Sequence, residues 1–426
     1  MQQRRVKILL VGHGLGFEGA PRVFVNLARG LAGVEWLFPE VLVHEDGPLR
    51  LSLEQARIPV HILPECAVVE PLPVDASGLD IYVSNNLRFL RDPTSTYPQK
   101  IASLAAIIAQ YAPDIVLANT VLSFWAIAAG KLLGIPTMWL IHESEEPFSH
   151  LRILGREVTT LLPSYLNMAS KVIFVSKMTE NIFRTVGTGE NFTVIPNALF
   201  PDMPVFDRSF GTREQARASL GIANGTVSLL LLGSVFERKG QIDLVKAMAC
   251  LPPDVLGNVC CNFVGDRPGT EYSIHFHEAV DALSPGVRSH VRIYKETQAV
   301  ARHYAAADVF IFCSRIESSP LAILEALSMG LPIITTPVFG VMELLDETCA
   351  LFYEPGQVVT LAEHVALLVR HPEMRKDLAM ASSIRYSKLP DFSRVTSCYA
   401  ALIAEFSSGV CKTPPLLQKN SRRIPR

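Results

Sequence analysis

No Cys-x-x-Cys pair occurs among the eight cysteines of this 426-residue chain, and the only adjacent ones are Cys260 and Cys261. That spacing builds neither a zinc cage nor a disulfide framework, which points to a reducing compartment. An excess of one charge is also missing. Thirty-nine Lys and Arg stand against 41 Asp and Glu, a net charge of -2, whereas a general nucleic-acid binder carries a basic surplus. Long apolar runs are lacking too. The most apolar region, 101–141, is broken by Pro113, Asp114, Lys131 and Pro136, short of the roughly 20 residues a membrane span needs. The N-terminus, MQQRRVKILLVGHG, has the basic start of a secretory leader. Glycines and His13 interrupt its apolar run and no small-residue cleavage site follows, so it reads as a first strand. Internal repeats, low-complexity tracts and an Asp-x-Asp metal motif are absent from the sequence. The expected location is the cytoplasm.

What is present suits two packed domains. Nearly half the residues are hydrophobic, 49%, and the length allows two cores. Short apolar runs alternate with helical patterns, the sign of parallel sheets made from βαβ units. VKILLVG, EVLVHE, DIVLAN, TMWLIH, KVIFVS and FTVIP form one series of strands; VSLLLLG, VCCNFVG, VRIYKE, VFIFCS and PIITT form a second. Between them, 196–211 carries three prolines and little periodicity, which marks a hinge. The expected plan is therefore α/β, two doubly wound Rossmann-like domains facing across a cleft, with ligands beyond the carboxyl ends of the strands.

The most informative segment is 317–336, ESSPLAILEALSMGLPIITT. Ser319 reads as an N-cap with Pro320 at the first helical position, and Leu321 to Met329 as a helix closed by Gly330. At helical rise, eight residues put Glu317 and Glu325 at most about 12 Å apart. The helix start between them offers unpaired N–H groups and a positive dipole end to an anion, and each glutamate can accept hydrogen bonds from vicinal hydroxyls. A nucleotide sugar has that pattern, a diphosphate between two polyols. Read without that context, Glu317 is a loop acid and Glu325 a solvated helix position. Arg238 and Lys239, between a strand and a helix and just before Gly240, are either solvated surface or neutralisers of a diphosphate. The glycine loop GHGLGFEGA gives GxGxG at Gly12, Gly14 and Gly16 rather than GxGxxG, and Glu45 comes too late for a dinucleotide site. His142 ends an apolar strand and is followed by Glu143, Glu145 and Glu146.

These segments together resemble glycosyltransferase family 4, the GT-B-fold, retaining, nucleotide-sugar-dependent transferases. The two-glutamate motif is similar to that family's signature; 229–248, 307–314, 12–31, 140–144, 172–183 and 194–199 match further segments in the expected order, so the likeness runs over roughly residues 5 to 405. The resemblance implies an N-terminal acceptor-side domain over 1–200, a donor-binding domain over 201–390, a helix over 391–410 returning to the first, and a basic tail over 411–426. It implies that His142 lies near the donor sugar, with Glu317 holding that sugar and Glu325 the ribose. Arg238, Lys239 and the turn Ser319, Pro320 and Leu321 would meet the diphosphate, and Gly19, with Gly16 and Ala20, the donor and acceptor. Glu18 departs from the family, many members of which carry a glycine there, and Ser234 from those with a further arginine. The segments Val264 to Arg267 and Tyr294 to Thr297 would hold the base. A front-face mechanism needing no metal or cofactor follows, the nucleoside-diphosphate sugar being a co-substrate and the acceptor a hydroxyl of a glycan, glycolipid or other molecule, in polysaccharide or glycoconjugate synthesis. Two readings of the basic tail stay open, disorder or contact with anionic lipid at the inner membrane face, as suits a lipid-linked acceptor. The segment 151–166 reads as a packed helix rather than an anchor. Nucleic acid is not an expected partner. A sugar-nucleotide epimerase, a phosphorylase, or a silent nucleotide-sugar-binding protein are the alternatives.

Overall fold

The computed structural model describes residues 5–63, 87, 90–91, 93–143 and 155–407. Glu145, Glu146, residues 151–154 and the basic tail 411–426 lie outside them. The chain divides into two compact units, one of residues up to Asn197 together with those from Phe392 onward, the other Ala198–Asp391.

The first unit is built on seven parallel strands among the described residues. They are β1 (Val6–Gly14), β2 (Leu37–Glu45), β3 (Val60–Ile62), β4 (Ile115–Asn119), β5 (Thr137–Ile141), β6 (Lys171–Phe174) and β7 (Phe192–Val194), in the order β3-β2-β1-β4-β5-β6-β7. Because helices cover both faces of such a sheet, its strands need apolar residues on both sides, and β4 and β5 are buried at every position. The helix Gly19–Ala32 turns Phe24, Val25, Leu27, Ala28 and Leu31 inward, the stripe expected of a helix lying on a sheet. The final helix, Phe392–Ser407, packs on it where Gly30 leaves room: a Cβ there would come within 2.7 Å of Phe392 and Thr396.

The second unit repeats the plan with β8 (Val227–Leu232), β9 (Val259–Asp266), β10 (Val291–Lys295), β11 (Val309–Phe312), β12 (Ile333–Thr335) and β13 (Ala350–Phe352). All pair in parallel in the order β10-β9-β8-β11-β12-β13. This is the Rossmann order, and its reversal falls between β8 and β11, as that of the first sheet falls between β1 and β4. Loops diverge to opposite sides at such points and leave a crevice beyond the strand ends. The proline-rich stretch 196–211 is packed from Leu199 onward: Leu199, Met203 and Val205 are buried in the second unit's core. Among the described residues, no helix is long and apolar enough to cross a membrane.

Every strand expected from the sequence is found. Two were not expected, β3 and β13, edge strands of three residues each, too short to display a period. One local reading is corrected. Ser319 is not the N-cap: the helix is Leu321–Ser328 and its cap is Pro320, extended at φ -71° and ψ 119°, with no side-chain cap hydrogen bond. The proline ring disfavours helical backbone in the residue before it, and the first turn begins one residue past the proline. At the other end Gly330, at φ 62°, closes the helix with bonds from its N–H to the Leu327 carbonyl and from the Leu331 N–H to that of Ala326, a Schellman pair.

Candidate active site

In the second unit the basic loop and the two-glutamate motif meet at the switch point. Arg238 and Lys239 sit in a single 3₁₀ turn, Glu237–Lys239, after β8. Gly240 follows at φ 64° and lies so close to the end of β11 that a Cβ would stand 2.3 Å from the Cys313 carbonyl oxygen. The Arg315 N–H donates to the Arg238 carbonyl at 2.7 Å, joining the two loops. Asp243, buried in the first turn of the helix Gln241–Ala249, braces the join: one carboxylate oxygen accepts from Arg315 Nη2 at 3.1 Å, the other from the Gly356 N–H at 3.0 Å.

Within this frame Glu317, only 8% exposed, accepts through Oε1 from Arg238 Nη1 at 3.1 Å and from Lys239 Nζ. Burial alone would push its carboxyl up, but Lys239 and Arg238 outweigh burial and hold it below the ordinary carboxylate value. Burial pulls the Lys239 ammonium down, and Glu317, its charge divided between two cations, returns only part of that loss. The turn that follows is equally constrained. Ser318, Ser319 and Pro320 are buried, and Gly340, at φ 61°, faces Ser318 so closely that a Cβ would lie 1.7 Å from its carbonyl oxygen. Leu321 opens the helix. Glu325, on the same helix, is buried and accepts from Tyr304 Oη at 2.7 Å. Neither glutamate is a solvated acid. Ser234 donates to Glu296 at 3.4 Å, and Glu296 pairs through both oxygens with Arg267 at 2.8 and 2.9 Å, so the two segments expected to hold a base lie side by side at the ends of β9 and β10.

In the first unit the corresponding switch point gathers His13, Asn119, Thr120 and His142. His142 Nε2 lies 2.9 Å from Asn119 Oδ1, and Thr120 Oγ1 is 3.4 Å from His13 Nδ1. Burial, and secondarily the neighbouring His13 ring, lowers His142 to about 3; burial lowers His13 to about 4 against the attraction of Glu18. Both rings are neutral at neutral pH. With Asn119 Oδ1 accepting, His142 carries its proton on Nε2, which makes Nδ1 its acceptor. Thr120 holds φ 69°, a strained value for a β-branched residue, fixed by its N–H to the Leu140 carbonyl and by Trp139 Nε1 donating to its own carbonyl, both at 2.7 Å. Glu143 is a strap: its carboxylate accepts the Val121 and His142 N–H groups at 3.0 and 3.1 Å. Glu18 caps the helix Gly19–Ala32 without a side-chain cap bond and folds its carboxylate over Gly16, where a Cβ would stand 2.1 Å from Oε2. Gly19 is open, with no atom within 4 Å of a Cβ built on it, and Ala20 is half-buried beside it.

The sequence reading passed over His13, Asn119, Thr120, Asp243, Tyr304 and Arg315. Position at a strand end next to the reversal of strand order would have marked the first three. The other three act through a partner distant in sequence and left no local pattern.

The family model for glycosyl transferases group 1 matches residues 212–383, and that for glycosyltransferase family 4 matches 17–202. The chain belongs to this family. It is 32% identical over 162 residues, 38% of its length, to the lipopolysaccharide glucosyltransferase WaaG of Escherichia coli, of which the match covers 41%. To the sulfoquinovosyl transferase SQD2 of Arabidopsis thaliana it is 24% identical over 298 residues, 65% of this chain and 53% of that enzyme. The chain thus spans about half the length of these curated relatives. The solved structure of Anabaena HepE in complex with UDP and glucose superposes with a TM-score of 0.75 at 22% identity, over 94% of this chain and all of HepE. That likeness speaks for the fold, and the two Rossmann-like domains are those of a GT-B protein.

Proposed function

We propose that this protein is a retaining glycosyltransferase that moves a sugar from a nucleoside-diphosphate sugar to a hydroxyl acceptor. The observation that carries the reading is the meeting of Arg238, Lys239 and Glu317 at the switch point of the second sheet. Two cations beside the start of the helix Leu321–Ser328 are suited to the charge that grows on a departing nucleoside diphosphate. Glu317 receives the hydroxyls of the donor sugar, and Glu325, oriented by Tyr304, those of the ribose. Neutral His142 offers a hydrogen bond to a sugar hydroxyl; Gly19, Gly16 and Ala20 let backbone approach the donor and acceptor closely. Among the described residues the arrangement has no evident nucleophile, and in this scheme the leaving phosphate oxygen helps deprotonate the acceptor on the face it leaves. No metal is required by this scheme, because side chains and a helix end supply the stabilising charge. The relatives named above include a lipopolysaccharide glucosyltransferase and a sulfoquinovosyl transferase, which favours an acceptor in glycoconjugate synthesis and leaves lipid-linked acceptors in view.

Incubation of the purified protein with a panel of UDP-, GDP- and ADP-sugars tests the reading. One donor should raise the melting temperature and undergo slow hydrolysis without an acceptor. A panel in which none binds would refute it.

A further inference from the structure

We propose that Glu317 stands in for the donor's diphosphate in the empty protein, and that an incoming diphosphate displaces it from Arg238 and Lys239. This rests on the donor-site reading above and adds an exchange of anions to it. Both cations converge on one oxygen of one carboxylate, much as they would on a phosphate oxygen. Without an anion, the half-buried Lys239 ammonium and the exposed Arg238 guanidinium would repel each other side by side, and Lys239 would lack solvation; Glu317 offsets that penalty. A nucleoside diphosphate brings more negative charge to the same two donors, and three anionic groups cannot share them at low dielectric cost.

The scaffold allows the side chain, and not the loop, to move. The backbone on either side of Glu317 is tied down by the Arg315 N–H to the Arg238 carbonyl, by Asp243 gripping Arg315, and by Gly340 closing on Ser318. Release of Glu317 is then a rotamer change, which leaves the cations where they are. The displaced carboxylate is free to accept the hydroxyls of the donor sugar. Once that sugar has been transferred, Glu317 has lost its new partners and competes again for Arg238 and Lys239. The product nucleoside diphosphate is thereby weakened relative to the intact donor, an aid to turnover where product release limits the rate.

The test is calorimetry on the full chain with inorganic diphosphate and with UDP, GDP and ADP. Glu317→Gln should bind inorganic diphosphate and the cognate nucleoside diphosphate roughly ten- to a hundredfold more tightly than the unaltered protein, the scale of one charge-assisted hydrogen bond in competition, while its transfer rate falls. In a Lys239→Met background the same change should gain only a few-fold, since one of the two contested cations is gone. Should Glu317→Gln not fold, Glu317→Asp, which withdraws the carboxylate by one methylene, should show a smaller gain in the same direction. Equal or weaker binding by the variants overturns the exchange and leaves the donor site standing. Failure of every protein, the unaltered one included, to bind any diphosphate overturns both.

Discussion

The two switch points of this protein share a strand order and differ in charge. At the first, between β1 and β4, His13 and His142 are held neutral by burial, their rings meet the uncharged Thr120 and Asn119, and the Glu143 carboxylate beside them is taken up by the Val121 and His142 N–H groups. At the second, between β8 and β11, Arg238, Lys239 and Glu317 are packed together with their charges intact. A parallel sheet supplies a crevice at either place, and the side chains decide what can enter it. The neutral cluster suits hydroxyls, whose recognition needs donors and acceptors without a net field. The charged cluster suits a polyanion.

The strongest way to break this contrast is to remove charge from the second crevice. Lys239→Ala should lower the transfer rate by about two to three orders of magnitude, the loss typical when one preorganised charge stabiliser is deleted. Steady-state kinetics with the identified donor checks it, and near-normal turnover would show that the diphosphate is stabilised elsewhere. The geometry of the same crevice can be broken without touching a charge. Gly340→Ala forces a Cβ into the Ser318 carbonyl at a left-handed backbone position, so it should cost at least about 2 kcal/mol in stability and reduce transfer about tenfold. Denaturant melts and kinetics together measure both effects. Tyr304→Phe should weaken nucleoside diphosphate binding by about tenfold, because Glu325 loses the hydroxyl that orients it, worth roughly 1.5 to 3 kcal/mol when the acceptor is charged. Unchanged affinity in calorimetry would separate Glu325 from the ribose.

The first crevice is sharpened by acid. A histidine whose folded value lies below its unfolded one adds stability that is complete above the ordinary imidazole value of about 6.5 and is lost as pH falls toward the folded value. For His13, which titrates near 4 when folded, lowering the pH from 7 to 5 should cost about 2 kcal/mol. His13→Gln should flatten that part of the curve in urea melts at the two pH values; an identical slope in the variant would mean that His13 takes up its proton equally readily in the folded and unfolded chain. The smallest effect is expected from chelation. Transfer should persist in excess EDTA, and loss restored by magnesium or manganese would show that the side-chain charges are insufficient.

Much of this was readable beforehand because the residues involved lie close together in sequence. The apolar runs of β1, β8 and β11 announce buried parallel strands, and Glu317, Pro320 and Glu325 fall within nine residues of one another. The turn bearing Arg238 and Lys239 follows directly on a strand. What lay hidden depends on approach between distant segments. Nothing in the neighbourhood of Tyr304 tells that its hydroxyl meets Glu325, and nothing near Asp243 tells that its carboxylate joins Arg315 to Gly356. Burial is equally illegible in a charged residue: Glu317 reads as a loop acid until two cations are found on its oxygen. Composition puts the N-cap one residue early, at Ser319, because serine is a good cap, whereas the proline after it fixes the backbone and is itself the cap.

The return of the helix Phe392–Ser407 to the first unit bears on how the chain is made. A ribosome releases residues in order, so the whole of Ala198–Asp391 has emerged, and can form its own sheet, before Phe392 is available to cover Gly30 on the helix Gly19–Ala32. The half of the molecule that is synthesised first is thus the last to be completed. Until then the surface of that helix around Gly30 lacks the cover of Phe392 and Thr396, and surface left open during synthesis is what makes a partly folded chain prone to associate.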